Sequence, residues 1–81
     1  MRLDKYLKVS RLIKRRTVAN EACDAGRVLV NGRPARASYE VREGDLLTIE
    51  MGARPLKVRV LSVAEYARKD DAGNLYVAVE D

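Results

Sequence analysis

The stretch "AGRVLVNGRPA", residues 25–35, divides the chain into two kinds of structure. Gly26 stands where a helix ending calls for a left-handed residue, which glycine adopts without a Cβ penalty. "RVLV" then reads as a strand, and Asn31-Gly32 signals a two-residue turn whose central positions both need positive φ. A helix therefore ends here and strands begin.

Toward the N-terminus the apolar spacing is helical. Leu3, Tyr6, Leu7 and Ser10 share one face of a predicted helix over 2–9, with Asp4, Lys5, Lys8 and Arg11 mostly on the other. Leu12-Ile13 is expected to plug the corner after it, and Lys14, Arg15 and Arg16 to form the connection. Thr17 is the expected N-cap of a second helix over 18–25, with Asn20 where a capping box would have Glu or Gln. Glu21 in the first turn suits the helix dipole. Val18, Ala19, Ala22 and Cys23 give an inward face of small residues that lets the helices approach closely.

Toward the C-terminus the pattern alternates. Glu43-Gly44-Asp45 reads as a turn before "LLTIEM", and "PLKVRVLSV" points Leu56, Val58 and Val60 inward against Lys57 and Arg59. "KDDAGN" at 69–74 reads as a polar turn and "LYVAV" as a short last strand. Helices followed by strands, without βαβ alternation, make an α+β fold: a two-helix αα corner followed by a small antiparallel β-sheet. No repeat or linker interrupts it, so one domain is expected over 1–81, with the helical motif at about 1–49 and the C-terminal strands at about 50–81.

Charge is distributed unevenly along the 81 residues. Residues 1–36 carry ten Lys/Arg against three acids, a net +7; residues 37–81 carry six against nine, a net −3; the whole chain is +4. This asymmetry points to a polyanion-binding half on a near-neutral support. Arg2, Lys5 and Lys8 recur every three residues along the first helix, and Arg11 extends the row. Arg15 and Arg16 sit beside the second helix's N-terminus, where free N–H groups and partial positive charge favour a phosphate. RNA fits better than DNA, because the first helix lacks an Asn/Gln-rich face for reading a major groove.

Other classes fare worse. One cysteine, Cys23, and no histidine leave neither an internal disulfide nor a zinc set, and no imidazole base. Cys23 falls on the inner helix face as a small buried thiol, and the five glycines form no phosphate-cradling loop. No enzyme, cofactor or metal is expected. The longest apolar run, "LYVAV", is too short for a membrane span or a signal-peptide core, and the chain has no Trp or Phe for a membrane-surface helix. A cytoplasmic monomer is the expectation. A superficial helix-turn-helix and a protein-binding adaptor remain as alternatives.

Arg2-Leu3-Asp4, Arg16-Thr17, Gly26-Arg27-Val28 and Val30-Asn31-Gly32 occur in the order that marks one RNA-binding family. The chain resembles the domain named after small-subunit ribosomal protein S-four, through "VREGDLLTI" near position 49 and less specifically to the end. Its opening resembles the stand-alone bacterial members that act in ribosome quality control, relatives of heat-shock protein fifteen. That relative's long basic C-terminal tail is not present in this sequence. The resemblance implies binding to large ribosomal subunits obstructed by peptidyl-tRNA. There the protein would contact large-subunit rRNA and P-site tRNA and assist an Rqc-type (NEMF-family) tailing factor in adding C-terminal alanines. It makes Arg2 and Arg16 the first RNA contacts, with Lys5, Lys8, Arg11, Lys14, Arg15 and Arg27 as surrounding positive surface. Thr17 would be cap and phosphate contact together, and Asp4 would orient neighbouring arginines. Asn20 stands where the family often has Arg or Lys, which implies a weaker contribution from the second helix. A factor of the heat-shock-protein-fifteen type, recycling obstructed subunits, is the alternative within the same resemblance.

Overall fold

Seven short elements form in a computed structural model that describes residues 1–63 and 75–79. The helices are α1 (Leu3–Val9) and α2 (Arg16–Asp24). Five strands follow: β1 (Val28–Val30), β2 (Arg33–Pro34), β3 (Leu46–Ile49), β4 (Leu56–Val60) and β5 (Tyr76–Ala78). They make one sheet in the order β2-β1-β3-β4-β5, antiparallel throughout, so the α+β expectation holds. The expected turn at 69–74 lies outside the described residues.

The boundary between helix and sheet forms as the sequence dictates. Gly26 has φ +78, and its N–H donates to the Cys23 carbonyl while the Arg27 N–H donates to that of Ala22. That pair of bonds is the Schellman ending of a helix. Asn31 (φ 53) and Gly32 (φ 84) are both left-handed, and they bring Val30 opposite Arg33.

One core joins the two layers. Leu3, Tyr6 and Leu7 of α1 and Ala19, Ala22 and Cys23 of α2 pack with Val28, Val30, Leu47, Ile49, Val58 and Val60 of the sheet. Ile13 closes the helix corner. Tyr6 is fully buried, and its hydroxyl donates to the Leu75 carbonyl at 2.6 Å, tying α1 to the chain just before β5.

Four helix expectations and one strand expectation change. α2 begins at Arg16, with Arg15 in the capping position and no side-chain cap, so Thr17 lies inside the first turn and is not the N-cap. The earlier start also moves Glu21 out of that turn. Val18 faces solvent because α2 buries only the narrower Ala19–Ala22–Cys23 stripe. Leu56 is exposed although Val58 and Val60 are buried: it starts β4 opposite Ile49, at the end of the sheet. Asp4, expected mostly outward, is buried for a reason that organises the site.

Candidate nucleic-acid interface

The first turn of α1 is covered by a segment distant in sequence. Leu3 N–H donates to the Tyr39 carbonyl at 2.7 Å, Asp4 N–H to that of Ala37 at 3.2 Å, and Val41 N–H to that of Met1 at 2.9 Å. This backbone pairing closes over the helix start and leaves Asp4 only 2% exposed. Helical periodicity carries no trace of it, since residues 37–41 arrive from beyond the β1–β2 hairpin.

A carboxylate buried there costs several kcal/mol unless donors surround it. Asp4 has four. The Lys5 backbone N–H reaches Oδ1 at 2.8 Å, and Asn20 Nδ2 reaches Oδ2 at 3.1 Å. Arg2 straddles the carboxylate, Nε to Oδ1 at 3.2 Å and Nη2 to Oδ2 at 3.3 Å. Arg16 comes from the facing helix, with Nε 3.5 Å from Oδ2 and Nη2 3.5 Å from Oδ1. Burial alone pushes the Asp4 carboxyl up; the hydrogen bonds from Asn20, the Lys5 backbone, Arg16 and Arg2 outweigh it and hold it below the ordinary carboxylate value. Asp4 is therefore an anion at neutral pH, and it fixes two cations.

Those two cations are half outside. The Arg2 and Arg16 side chains are 49% and 46% exposed. A guanidinium carries five N–H donors in a rigid fork, so each arginine can meet Asp4 on one edge and keep donors for a second anion. Holding the fork in place beforehand lowers the rotamer entropy lost on binding.

The structure brings together some of the expected site residues and separates others. Arg2, Lys5 and Arg16 line one open depression, with Met1, Glu40 and Val63. Thr17 and Asn20 line the next, which shares Arg16. Glu40 on the rim is held by the Met1 ammonium at 2.7 Å; that hydrogen bond keeps its carboxyl below the ordinary value. Lys14 and Arg15 flank a different groove, with Leu12, Val18 and Met51. Arg27 lies at the far end of α2, beside Ala25 and Met51. Lys8 and Arg11 are exposed but join neither depression. A three-residue step falls about 60° short of a full helical turn, so the row from Arg2 through Lys8 drifts away from its start.

Asn20 is the residue whose role sequence reasoning misses. It supplies a neutral donor to Asp4, and Arg16 sits one helical turn before it on the same face. That i, i+4 pair opposite a lone helix carboxylate was the available signal. Cys23 carries no chemistry of its own: burial, then the nearby Asp4 and Asp24 charges, push its thiol up to about 11. Among the described residues no cluster of three or more Cys, Asp or Glu side chains is placed to hold a metal ion, and no helix is long and apolar enough to cross a membrane.

Known proteins resemble this chain in sequence and in fold. The S4 domain matches residues 1–47. An RQC P-site tRNA stabilizing factor of Halalkalibacterium halodurans is 54% identical over 76 residues, covering 94% of this chain and 86% of the relative. The protein of the same description from Bacillus subtilis is 47% identical over 81 residues, 100% of this chain and 94% of its own. Among solved structures, trimeric heat shock protein 15 of Vibrio cholerae superposes with a TM-score of 0.90 at 29% identity, over 98% of this chain and 81% of that one.

Proposed function

The chain belongs to the S4 domain family, among the RQC P-site tRNA stabilizing factors, and from that premise we propose that it is a non-catalytic RNA-binding factor of ribosome-associated quality control. It binds large ribosomal subunits obstructed by peptidyl-tRNA and touches rRNA and the P-site tRNA together. By bracing that tRNA it supports an Rqc-type (NEMF-family) factor adding alanines to the stalled chain.

The observation that carries this reading is the clamp at Asp4. One buried carboxylate fixes Arg2 and Arg16, which come from the N-terminal ends of the two helices and stay half exposed. Such a pair suits two phosphates held at a set separation, as in two backbones or one sharp bend. Lys5 adds charge in the same depression, and Lys14 and Arg15 extend it around the corner. The work is positional: the arginines bridge, the core keeps the corner rigid, and no bond is made or broken.

Sedimentation of the tagged protein from a bacterial lysate, at low and high salt, tests this directly. Migration with large subunits carrying peptidyl-tRNA, lost at high salt, is the expected result. About five neutralised phosphates would give a log–log salt slope near −3 to −4. Retention at the top of the gradient in both salts overturns ribosome binding. The fold likeness to heat shock protein 15 favours one second reading, recycling of obstructed subunits. Deletion distinguishes the two: loss of alanine tails marks the bracing role, and unchanged tails with accumulating obstructed subunits mark recycling.

A further inference from the structure

Eight of the ten cations in residues 1–36 belong to the helical corner and its flanks; Arg33 and Arg36 do not. Arg33 lies in β2, at one edge of the sheet, and Arg36 follows it on the segment returning toward α1. Between hairpin and segment lies an open depression of about 660 Å³, lined by Asn31, Arg33, Pro34, Arg36, Ser38 and Tyr39 among others. It shares no residue with the depression of Arg2, Lys5 and Arg16.

Its walls are pinned from behind. Asn31 Nδ2 and the Tyr39 hydroxyl both donate to Asp45, at 3.1 and 2.9 Å, and Asn31 Oδ1 accepts from the Leu46 N–H at 3.0 Å. Ala37 N–H donates to Asp24 at 3.1 Å. Asp24 and Asp45 are thus spent on holding this segment, and no carboxylate among the described residues lines the depression. Arg33 and Arg36 are exposed, and neither guanidinium forms a hydrogen bond or ion pair among the described residues.

Two exposed guanidinium groups, a half-buried tyrosine ring and a proline on a hydrogen-bonded floor match the needs of single-stranded RNA. Phosphates take the guanidinium forks; a base or ribose lies against the ring and the proline. We propose that this hairpin depression is a second RNA site, binding a single-stranded segment independently of the Asp4 clamp. The inference rests on the RNA-binding reading above and adds a second RNA-binding surface to it, on the β1–β2 hairpin.

Binding of a short fluorescent oligouridylate carrying 4-thiouridine tests it, with the full chain, across a salt series and with crosslinks mapped by mass spectrometry. Replacing both arginines (Arg33→Ala with Arg36→Ala) is expected to make the log–log slope shallower by about 1.4, about 0.7 for each phosphate no longer neutralised. That slope change corresponds to about 25-fold weaker binding at 0.1 M salt if the two proteins converge at 1 M. Crosslinks are expected on the 33–39 segment of the wild type. Unchanged slope and affinity in this variant, with weakening in Arg2→Ala/Arg16→Ala and crosslinks confined to residues 2–16, overturn the hairpin site and leave the clamp standing. No salt-dependent binding by the wild type overturns the hairpin site for single-stranded RNA, while cosedimentation with large subunits reports separately on the parent reading. A coincident thermal melt for the variant and the wild type excludes unfolding as the cause of weakened binding.

Discussion

Asn20 Nδ2 lies 3.1 Å from Asp4 Oδ2, joining the second helix to the first turn of the first. A charged side chain at this position would compete with Arg16 for the same carboxylate; the amide adds a donor without adding charge. Asn20→Ala is therefore expected to cost about 1–2 kcal/mol, the range for a hydrogen bond to a charged group softened by three remaining donors. Urea denaturation measures it. A midpoint equal to wild type would mean that Arg2, Arg16 and the Lys5 amide satisfy Asp4 alone.

The same carboxylate sets a pH dependence. Its folded pKa lies below the ordinary value of 3.8, so its contribution is complete above about pH 4 and is lost as the pH falls through the depressed folded value. Thermal melts of wild type and Asp4→Asn should differ most near neutrality and converge in acid. Parallel curves down to pH 2 would show that Asp4 is not the group that titrates.

Arg16 is expected to matter more for binding than for folding. Arg16→Ala should weaken the complex with obstructed large subunits by about 1–3 kcal/mol, roughly 5- to 150-fold in Kd. It should cost folding about 1 kcal/mol or less, since the side chain is half in water. Arg16→Lys keeps the charge but has one ammonium to divide between Asp4 and a phosphate, so it should restore only part of the affinity. Full restoration by lysine would reduce the clamp to simple net charge.

The fold was largely legible because its punctuation is local. Gly26, Asn31-Gly32 and Gly44 act through their own φ angles, all of them positive, and the strand alternation needs only neighbours. What was illegible depends on distant pairing. Asp4 looks like a surface residue to helical periodicity, and only the return of residues 37–41 buries it. Once buried it draws in Arg2 and Arg16, the arginines the family resemblance led one to expect around it, and Asn20, whose part depends on that burial and was not legible. The start of α2 was misplaced because Thr17 is a good cap by type, while Arg15 holds the extended conformation that the capping position requires.

Cys23 should be silent to thiol reagents in the folded protein. With its pKa pushed up to about 11 by burial, almost no thiolate is present at pH 8, and access is closed as well. A chromogenic disulfide reagent should react with one thiol per chain only after denaturation. Rapid labelling of the native protein would contradict the packing of α2 against the sheet.

Arg11 offers a separation of stability from function. It sits just past α1 with φ 66, a conformation that costs a non-glycine residue about 1–2 kcal/mol. Glycine removes that strain but adds freedom to the unfolded chain worth about 0.5–1 kcal/mol, so Arg11→Gly is expected to stabilise the fold by up to about 1 kcal/mol. It also deletes an exposed cation of the positive corner, and the salt slope for RNA should become shallower by about 0.7. Denaturation and a salt titration on the same variant test both signs. A more stable protein with a shallower slope would mean that the strained backbone is retained for the arginine it presents. A more stable protein with an unchanged slope would remove Arg11 from the RNA surface and leave its conformation as a cost of the turn alone.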